Sequence, residues 1–484
     1  MKYIITLLAL FILLSCNDRR NITMDRPPNI VIVFTDDQGY QDLSSYGSPN
    51  IHTPHLDELA ENGLKLTDFY SAQAVCSASR AALLTGCYPN RIGISGALYP
   101  YHKVGINAQE TTLAEMLKAR GYKTGIFGKW HLGHHPEFLP NNHGFDEFKG
   151  IPYSNDMWPV DYDGNQVPSD HQLAKTYPQL PFFHNFEIVK EIRTLEDQAQ
   201  LTTELTHAAV DFIERNKEHS FFLYVPHPMP HVPIAVSDKF KGKSKQGLYG
   251  DVIMEIDWSV GEIIKKLKEN GLEENTFFVF TSDNGPWLNF GNHAGSAVPL
   301  REGKGTAWEG GQREPCVIHY PKKIKEGRTI DTPIMAIDLL PTIAEITDAE
   351  LPPKKIDGKS VWNVLKGETN ESPHEAYFFY YKTNELHGVR YKDWKLYFPH
   401  TFRTLNGRPR GKDGYPVKYE MNAIEKIELY NLKDDVGETT DVSSKHPDVV
   451  QKIKSLANEM RTELGDNLLN IQGIANRPAG RLTK

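Results

Sequence analysis

Two adjacent acids, Asp36 and Asp37, follow the apolar run Ile30–Phe34, and an acid–amide pair, Asp283 and Asn284, follows the apolar run Phe277–Phe280. Either pair alone reads as a turn or helix cap, because short carboxylate and amide side chains bond readily to nearby backbone. Two such pairs at two strand ends offer only oxygen ligands, which suit a hard divalent ion and not zinc. Between them lies Cys76-Ser77-Ala78-Ser79-Arg80-Ala81-Ala82-Leu83-Leu84-Thr85-Gly86. Ser79–Thr85 reads as a short helix stopped by Gly86. Cys76 then sits at a helix N-terminus, where unpaired N–H groups and the helix dipole attract an anion. A bare cysteine there is either a thiolate nucleophile or a packed, inert thiol.

These residues need a scaffold that gathers them. Ile30–Phe34 is continuous and rich in β-branched residues, so it predicts a strand buried on both faces. Thr124–Phe127 predicts a shorter strand that runs into Gly128-Lys129-Trp130-His131. Phe221–Val225 leads to His227 and His231, and Phe277–Phe280 to Ser282-Asp283-Asn284-Gly285. Helices are predicted between them: one capped at Thr53-Pro54 and stopped at Gly63, one from Thr112 to Gly121, one from Thr203 to Arg215 and one from Val252 to Lys268. Such alternation predicts an α/β protein with a largely parallel sheet and helices on both faces. Ligands bind beyond the carboxyl ends of such strands, and all four carry titratable or metal-binding residues there.

The Cys76 segment resembles the signature of the type I sulfatases, in the alkaline phosphatase superfamily: Cys or Ser, any residue, Pro or Ala, any residue, Arg, then Thr-Gly a few residues on. Ala78 stands where proline is commonest, which bears on which maturation system acts. The resemblance implies that Cys76 is oxidised to Cα-formylglycine (3-oxoalanine) by a formylglycine-generating enzyme. It also implies that Asp36, Asp37, Asp283 and Asn284 bind calcium, in preference to magnesium, together with residue 76. Gly128–Gly133 resembles the family's Lys-X-His motif. By that likeness Lys129 contacts sulfate and the formylglycine, while His131 and Arg80 hold the formylglycine hydroxyl. Pro152–Asp156 is similar to a stretch whose serine, here Ser154, binds sulfate. His231, before Val232-Pro233, resembles the histidine that binds the ester oxygen and protonates the leaving group. Arg301–Gly311 is a further match, and it implies that Lys304 binds a sulfate oxygen and the bridging oxygen. The glycines around Lys304 are expected to bring backbone close to ligand. His293, in a Gly-rich loop, is a candidate sugar contact. His227, Trp130, Trp258 and Trp308 read as framework.

The resemblance runs from Asn29 to Val442. It implies an alkaline-phosphatase-like fold with a smaller C-terminal antiparallel-sheet subdomain. Leu386–Arg390, Trp394–Leu396 and Glu428–Leu432 are its predicted strands, and a helix follows from Pro447 to Leu464. The division expected is 28–370 for the catalytic domain and 371–484 for the subdomain.

Ahead of them, Met1-Lys2 and the apolar Tyr3–Leu14 read as a signal peptide over 1–15, too short to span a bilayer. Leu13-Leu14-Ser15-Cys16 resembles a bacterial lipobox, so Cys16 is expected to carry lipid, with 16–27 as a tether and the protein exported and membrane-anchored. The chain has 484 residues, 54 basic against 62 acidic, and four cysteines. That balance leaves no nucleic-acid footprint, and the short lysine-rich stretches at Lys241–Lys245 and Lys322–Lys325 read as solvated loops. Four cysteines make no disulfide framework; a Cys87–Cys316 bridge is open, with two buried thiols preferred. The expected activity is hydrolysis of sulfate esters on a carbohydrate, either an algal polysaccharide such as ulvan, carrageenan or porphyran, or a glycosaminoglycan or mucin. The pocket is expected to be shaped by loops Leu98–Asn107, His134–Asn142 and Tyr162–Phe186. A phosphatase or phosphodiesterase of the same fold, and a non-catalytic binder of sulfated glycans, are the alternatives.

Overall fold

A strand with no polar residue from Ile30 to Phe34 has no face to offer water, and it becomes the centre of the molecule. In the computed structural model, which describes residues 26–325 and 327–482, it forms β1 (Asn29–Thr35), buried at every position. The signal peptide, Cys16 and most of the tether expected at 16–27 lie outside the described residues. In chain order the same sheet takes in β2 (Leu64–Tyr70), β3 (Lys123–Lys129), β4 (Glu147–Ile151), β5 (Leu180–His184), β6 (Glu187–Ile192), β7 (Phe221–Pro226), β8 (Thr276–Ser282), β9 (Arg313–His319), β10 (Arg328–Ile330) and β11 (Ile334–Met335). Their order is β10-β2-β9-β8-β1-β7-β3-β4-β5-β6, with β11 beside β2. The run β8-β1-β7-β3-β4 is parallel. Antiparallel β9 and β2 extend one side of it, and the β5–β6 hairpin extends the other.

The period-two alternation of a strand splits β1 between two cores. Ile30, Ile32 and Phe34 pack on one side and Val31 and Val33 on the other. The helices α1 (Pro54–Glu61), α2 (Cys76–Thr85), α3 (Leu113–Ala119), α4 (Leu201–Asn216) and α5 (Leu248–Glu269) supply the facing layers. Leu56, Leu205 and Ile256 from α1, α4 and α5 cover the Val31 side, and Leu83 and Leu117 from α2 and α3 cover the Ile30 side. Each such buried aliphatic side chain contributes roughly 1.5–3 kcal/mol. Thr112 starts α3 with a reciprocal capping box to Glu115, the strongest local start signal. Thr53 does not cap α1 with its side chain. Its hydroxyl is engaged by Ser44 and Asp57 instead.

One sequence expectation needs correction. The segment Tyr162–Phe186 is not all loop, since it holds a short helix, Gln172–Thr176, and strand β5. Cys87 and Cys316 are two buried free thiols, the reading preferred from the sequence.

The C-terminal unit is an antiparallel sheet of β12 (Tyr377–Tyr381), β13 (Glu385–Tyr391), β14 (Trp394–Tyr397) and β15 (Glu428–Asn431), in that order. It is backed by a helix, Pro447–Leu464. Its core is continuous with the large unit, for Tyr70, Trp308 and Met335 pack with Phe379, Leu396 and Leu429. Charge crosses the same boundary. Lys395 donates to Glu309 at 2.6 Å, and Glu309 also accepts from Tyr70 at 2.7 Å and Arg313 at 3.2 Å. Lys395 and Glu309 are fully buried. The cations around Glu309 outweigh its burial and hold its carboxyl down to about 2.

Removing one partner of a buried ion pair leaves the other desolvated and uncompensated. Lys395→Ala should therefore cost about 3 kcal/mol, seen as a lower urea midpoint at unchanged slope. Adding Glu309→Gln should recover part of that loss. A single-variant loss below about 1 kcal/mol, the surface-pair range, would count against this interface as a stabilising joint.

Candidate active site

Because β1, β3, β4, β7 and β8 run parallel, their carboxyl ends share one edge, and the predicted residues arrive there together. Asp36 and Asp37 follow β1, Asp283 and Asn284 follow β8, Lys129 is the last residue of β3, and His131 stands two residues beyond it. Ser154 follows β4 and His231 follows β7. All of these are buried. The two acid turns are tied by backbone: Asp283 N–H donates to the Thr35 carbonyl at 3.0 Å, and Asp37 N–H to Asp283 Oδ1 at 3.2 Å. Asp37 and His131 sit in the left-handed region, at φ of 64° and 60°, a conformation that costs a non-glycine residue about 1 kcal/mol or more. Neighbouring strands over-determine it: His131 N–H donates to the Pro152 carbonyl at 3.1 Å and Trp130 N–H to Ile151 at 3.0 Å.

Arg80 links the Cys76 helix to the acids. One turn into α2, its Nε and Nη2 donate to Asp283 Oδ2 at 3.1 and 2.8 Å, and Nη1 donates to the Lys129 carbonyl at 3.0 Å. Nη2 also lies 3.5 Å from Asp36 Oδ2. Lys129 Nζ bonds Asp36 and donates to Ser154 Oγ at 3.1 Å. Lys304 Nζ reaches Asp37 at 2.7 Å, and His231 Nε2 stands 3.6 Å from the same carboxylate. Buried Asp36 would be expected to hold its proton, but Lys129, His231, Arg80 and Lys304 together keep its carboxyl well below the usual range. Asp283 goes the other way, pushed up to about 7 by burial and by Asp36, with Arg80 opposing. Burial, Lys129 and Arg80 hold His131 as a neutral imidazole; Nε2 is engaged by the Leu98 carbonyl at 2.8 Å and Nδ1 has no partner among the described residues.

Burial pushes the Cys76 thiol up to about 11, although Lys129 and Lys304 oppose it. An unmodified Cys76 is a neutral thiol at physiological pH, which argues against a thiolate nucleophile.

The oxygens fit a hard cation. Asp36 Oδ1 and Asn284 Oδ1 are buried with no hydrogen-bond partner among the described residues, and orphaned oxygens of this kind want a ligand. Asp36, Asp37 and His231 present ligand atoms within 4.8 Å of one another. Asn284 is tied in through its Nδ2, which donates to Asp37 Oδ1 at 2.7 Å.

Other residues singled out in the sequence lie outside the charged cluster. His293 is outside this cluster and lines an adjoining cavity. His227 bonds Ser259 Oγ at 3.0 Å within the core, and Trp130 and Trp308 are fully buried. The glycines flanking Lys304 lie close against other parts of the protein. A Cβ on Gly303 would meet the Pro286 carbonyl at 2.4 Å, and one on Gly305 would meet the Arg403 guanidinium at 2.5 Å. Two neighbours carried no sequence signal. Trp287 lies with its ring 5.4 Å from that of His231 and 4.6 Å from Lys304 Nζ. Arg403 comes from the C-terminal unit and donates through Nε to the Lys304 carbonyl at 2.8 Å.

The sulfatase family profile matches residues 28–349, and the profile of the C-terminal region of aryl-sulfatase matches 372–481. Arylsulfatase A of Homo sapiens is 37% identical over 449 residues, covering 90% of this chain and 88% of its own. Among solved structures, PsFucS1 sulfatase from Pseudoalteromonas sp. is 27% identical with a TM-score of 0.80, covering 90% of this chain and 91% of that one. Ps i-CgsB in complex with k-i-k-neocarrahexaose is 29% identical with a TM-score of 0.71, over 89% and 93%.

A pKa near 11 leaves only about 0.1% of the Cys76 thiol ionised at pH 8. In folded protein that has not been matured, alkylation of Cys76, followed by peptide mass, should be at least about a hundredfold slower than that of an exposed cysteine. It should quicken about tenfold per pH unit. Rapid labelling at pH 8 would contradict the thiol environment described.

Proposed function

The chain belongs to the sulfatase family and is a sulfuric ester hydrolase, and from that premise we propose that it desulfates carbohydrates through a formylglycine made from Cys76 beside a calcium ion. The observation that carries this reading is the meeting of the Cys76 helix with the acids of β1 and β8 through buried Arg80. The carbohydrate part rests on relatives, one of them with an oligosaccharide bound, and an algal polysaccharide is the favoured source. The N-terminal signal peptide and Cys16 extend the proposal to an exported lipoprotein, held at a bacterial membrane.

Asp36, Asp37, Asp283 and Asn284 would hold the calcium, which supplies Lewis-acid stabilisation to a sulfate oxygen. A hydrated aldehyde at position 76 supplies two hydroxyls on one carbon, one to attack sulfur and one whose deprotonation expels sulfate. Asp283 takes the proton of the attacking hydroxyl. Arg80 orients the residue-76 side chain. Lys129, with Ser154 on its ammonium, and Lys304 bind sulfate oxygens through fixed charge, which is strong in a dry site and needs no reorganisation. His231 with Lys304 protonates the departing alcohol. Neutral His131, with Nδ1 unengaged, accepts the second hydroxyl's proton.

Cys76→Ala should leave the fold intact by circular dichroism and abolish sulfate release, and mass analysis of the peptide holding residue 76 should find the aldehyde in active protein. Sulfate release undiminished in that variant would end the proposal. For the metal, calcium added to chelator-treated protein should raise the Tm, by an amount that grows with concentration above Kd. Asp36→Asn with Asn284→Ala should remove that rise. A Tm indifferent to calcium would remove the ion from the site.

A further inference from the structure

A second cavity, of about 680 Å³, opens beside the cluster of cations. Val232, Pro233 and Trp287 form its inner wall. The first two follow His231 directly, and the Trp287 ring touches it. Tyr162, 58% exposed, lies at the outer end with its ring 6.4 Å from that of Phe290. Between these walls stand Asp156, Asp161, Asp163 and Asp413, with no lysine or arginine among the described lining residues.

Little in the chain neutralises those acids. Asp161 accepts the backbone N–H groups of Asp163 and Asn165 at 3.0 and 2.9 Å. Asp163 accepts from the Tyr415 hydroxyl. Asp413 accepts from Asn292 Nδ2 at 2.8 Å and lies 3.7 Å from exposed Lys412. Asp156 Oδ1 is buried without a partner among the described residues, as is Trp287 Nε1. The acids are not gathered for a cation, because among the described residues Asp36, Asp37 and His231 are the group close enough to hold one. Aromatic faces with hydrogen-bond acceptors between them suit a polyhydroxylated ring, whose hydroxyls donate to carboxylates and whose apolar face packs on Trp287 or Tyr162. The same carboxylates repel an anion, which is selection by a built-in penalty.

We propose that this cavity receives the alcohol portion of the ester, and that its carboxylates confine turnover to esters whose sulfated residue carries no second anionic group. The inference rests on the sulfatase reading and narrows it: neutral sugar residues bearing one sulfate enter, and uronates or doubly sulfated residues are refused. The electrostatic origin makes the selectivity sensitive to salt, since all four acids are exposed or half-buried, where salt screens their charge.

Matured enzyme can be tested with two aryl sulfates of one shape, 4-carbamoylphenyl sulfate and 4-carboxyphenyl sulfate. At low salt kcat/KM should favour the carbamoyl ester by about tenfold or more, the size expected of a few unscreened like charges. The ratio should fall toward that of the leaving-group chemistry alone, a drop of at least about threefold, in the Asp156→Asn, Asp161→Asn, Asp163→Asn triple variant and in wild type at about 0.5 M salt. A ratio identical in wild type and variant overturns the inference while leaving the sulfatase reading intact. Failure of aldehyde-bearing enzyme to release sulfate from both esters and from monosulfated sugars overturns both.

Discussion

Three carboxylates and three permanent cations are buried together at the carboxyl edge of the sheet, and the rest of the structure is arranged around keeping them paired. Asp36, Asp37 and Asp283 face Arg80, Lys129 and Lys304. Each ion costs several kcal/mol to take from water, and mutual attraction offsets this only when geometry is tight and spare lone pairs are bonded. The pairing is good but incomplete: Asp36 Oδ1 and Asn284 Oδ1 find no partner among the described residues. A divalent ion there would satisfy them and leave a net positive pocket, the charge that an ester of sulfuric acid requires.

Meeting that constraint shapes the backbone. Five parallel strands deliver their ends to one place, and Asp37 and His131 accept left-handed conformations to aim their side chains. Strain of this size persists because adjacent strands hold it, and it belongs where function sets the geometry. The C-terminal unit takes part as well. Arg403 grips the carbonyl of Lys304, and Lys395 pairs with Glu309 under the loop that carries Lys304. The C-terminal unit is therefore a brace for Lys304, and the shared core around Trp308 keeps it in place.

The charged cluster also separates two tasks. In the proposed function the cations gather the sulfate, while the acid-rich, aromatic-lined space would meet whatever bears it. His231 and Trp287 stand at the join, so the residue assigned to the leaving group lies where the two spaces meet.

The sequence by itself settled four of the five parallel strands, β4 excepted, the helices that cover them and the identities at their carboxyl ends, because apolar runs and caps are local properties. It also carried the family, since a motif such as Cys76–Gly86 is contiguous. It did not reveal β2 or β9, whose mixed composition becomes strand only when paired with each other and with β8. Nor could it tell that Gly305 makes room for Arg403, for that contact joins residues about a hundred positions apart. Trp287, the acids around it and the Lys395–Glu309 pair were likewise decided by tertiary structure. Charge compensation and cavity shape depend on distance in space, and one chain's order of residues does not contain that distance.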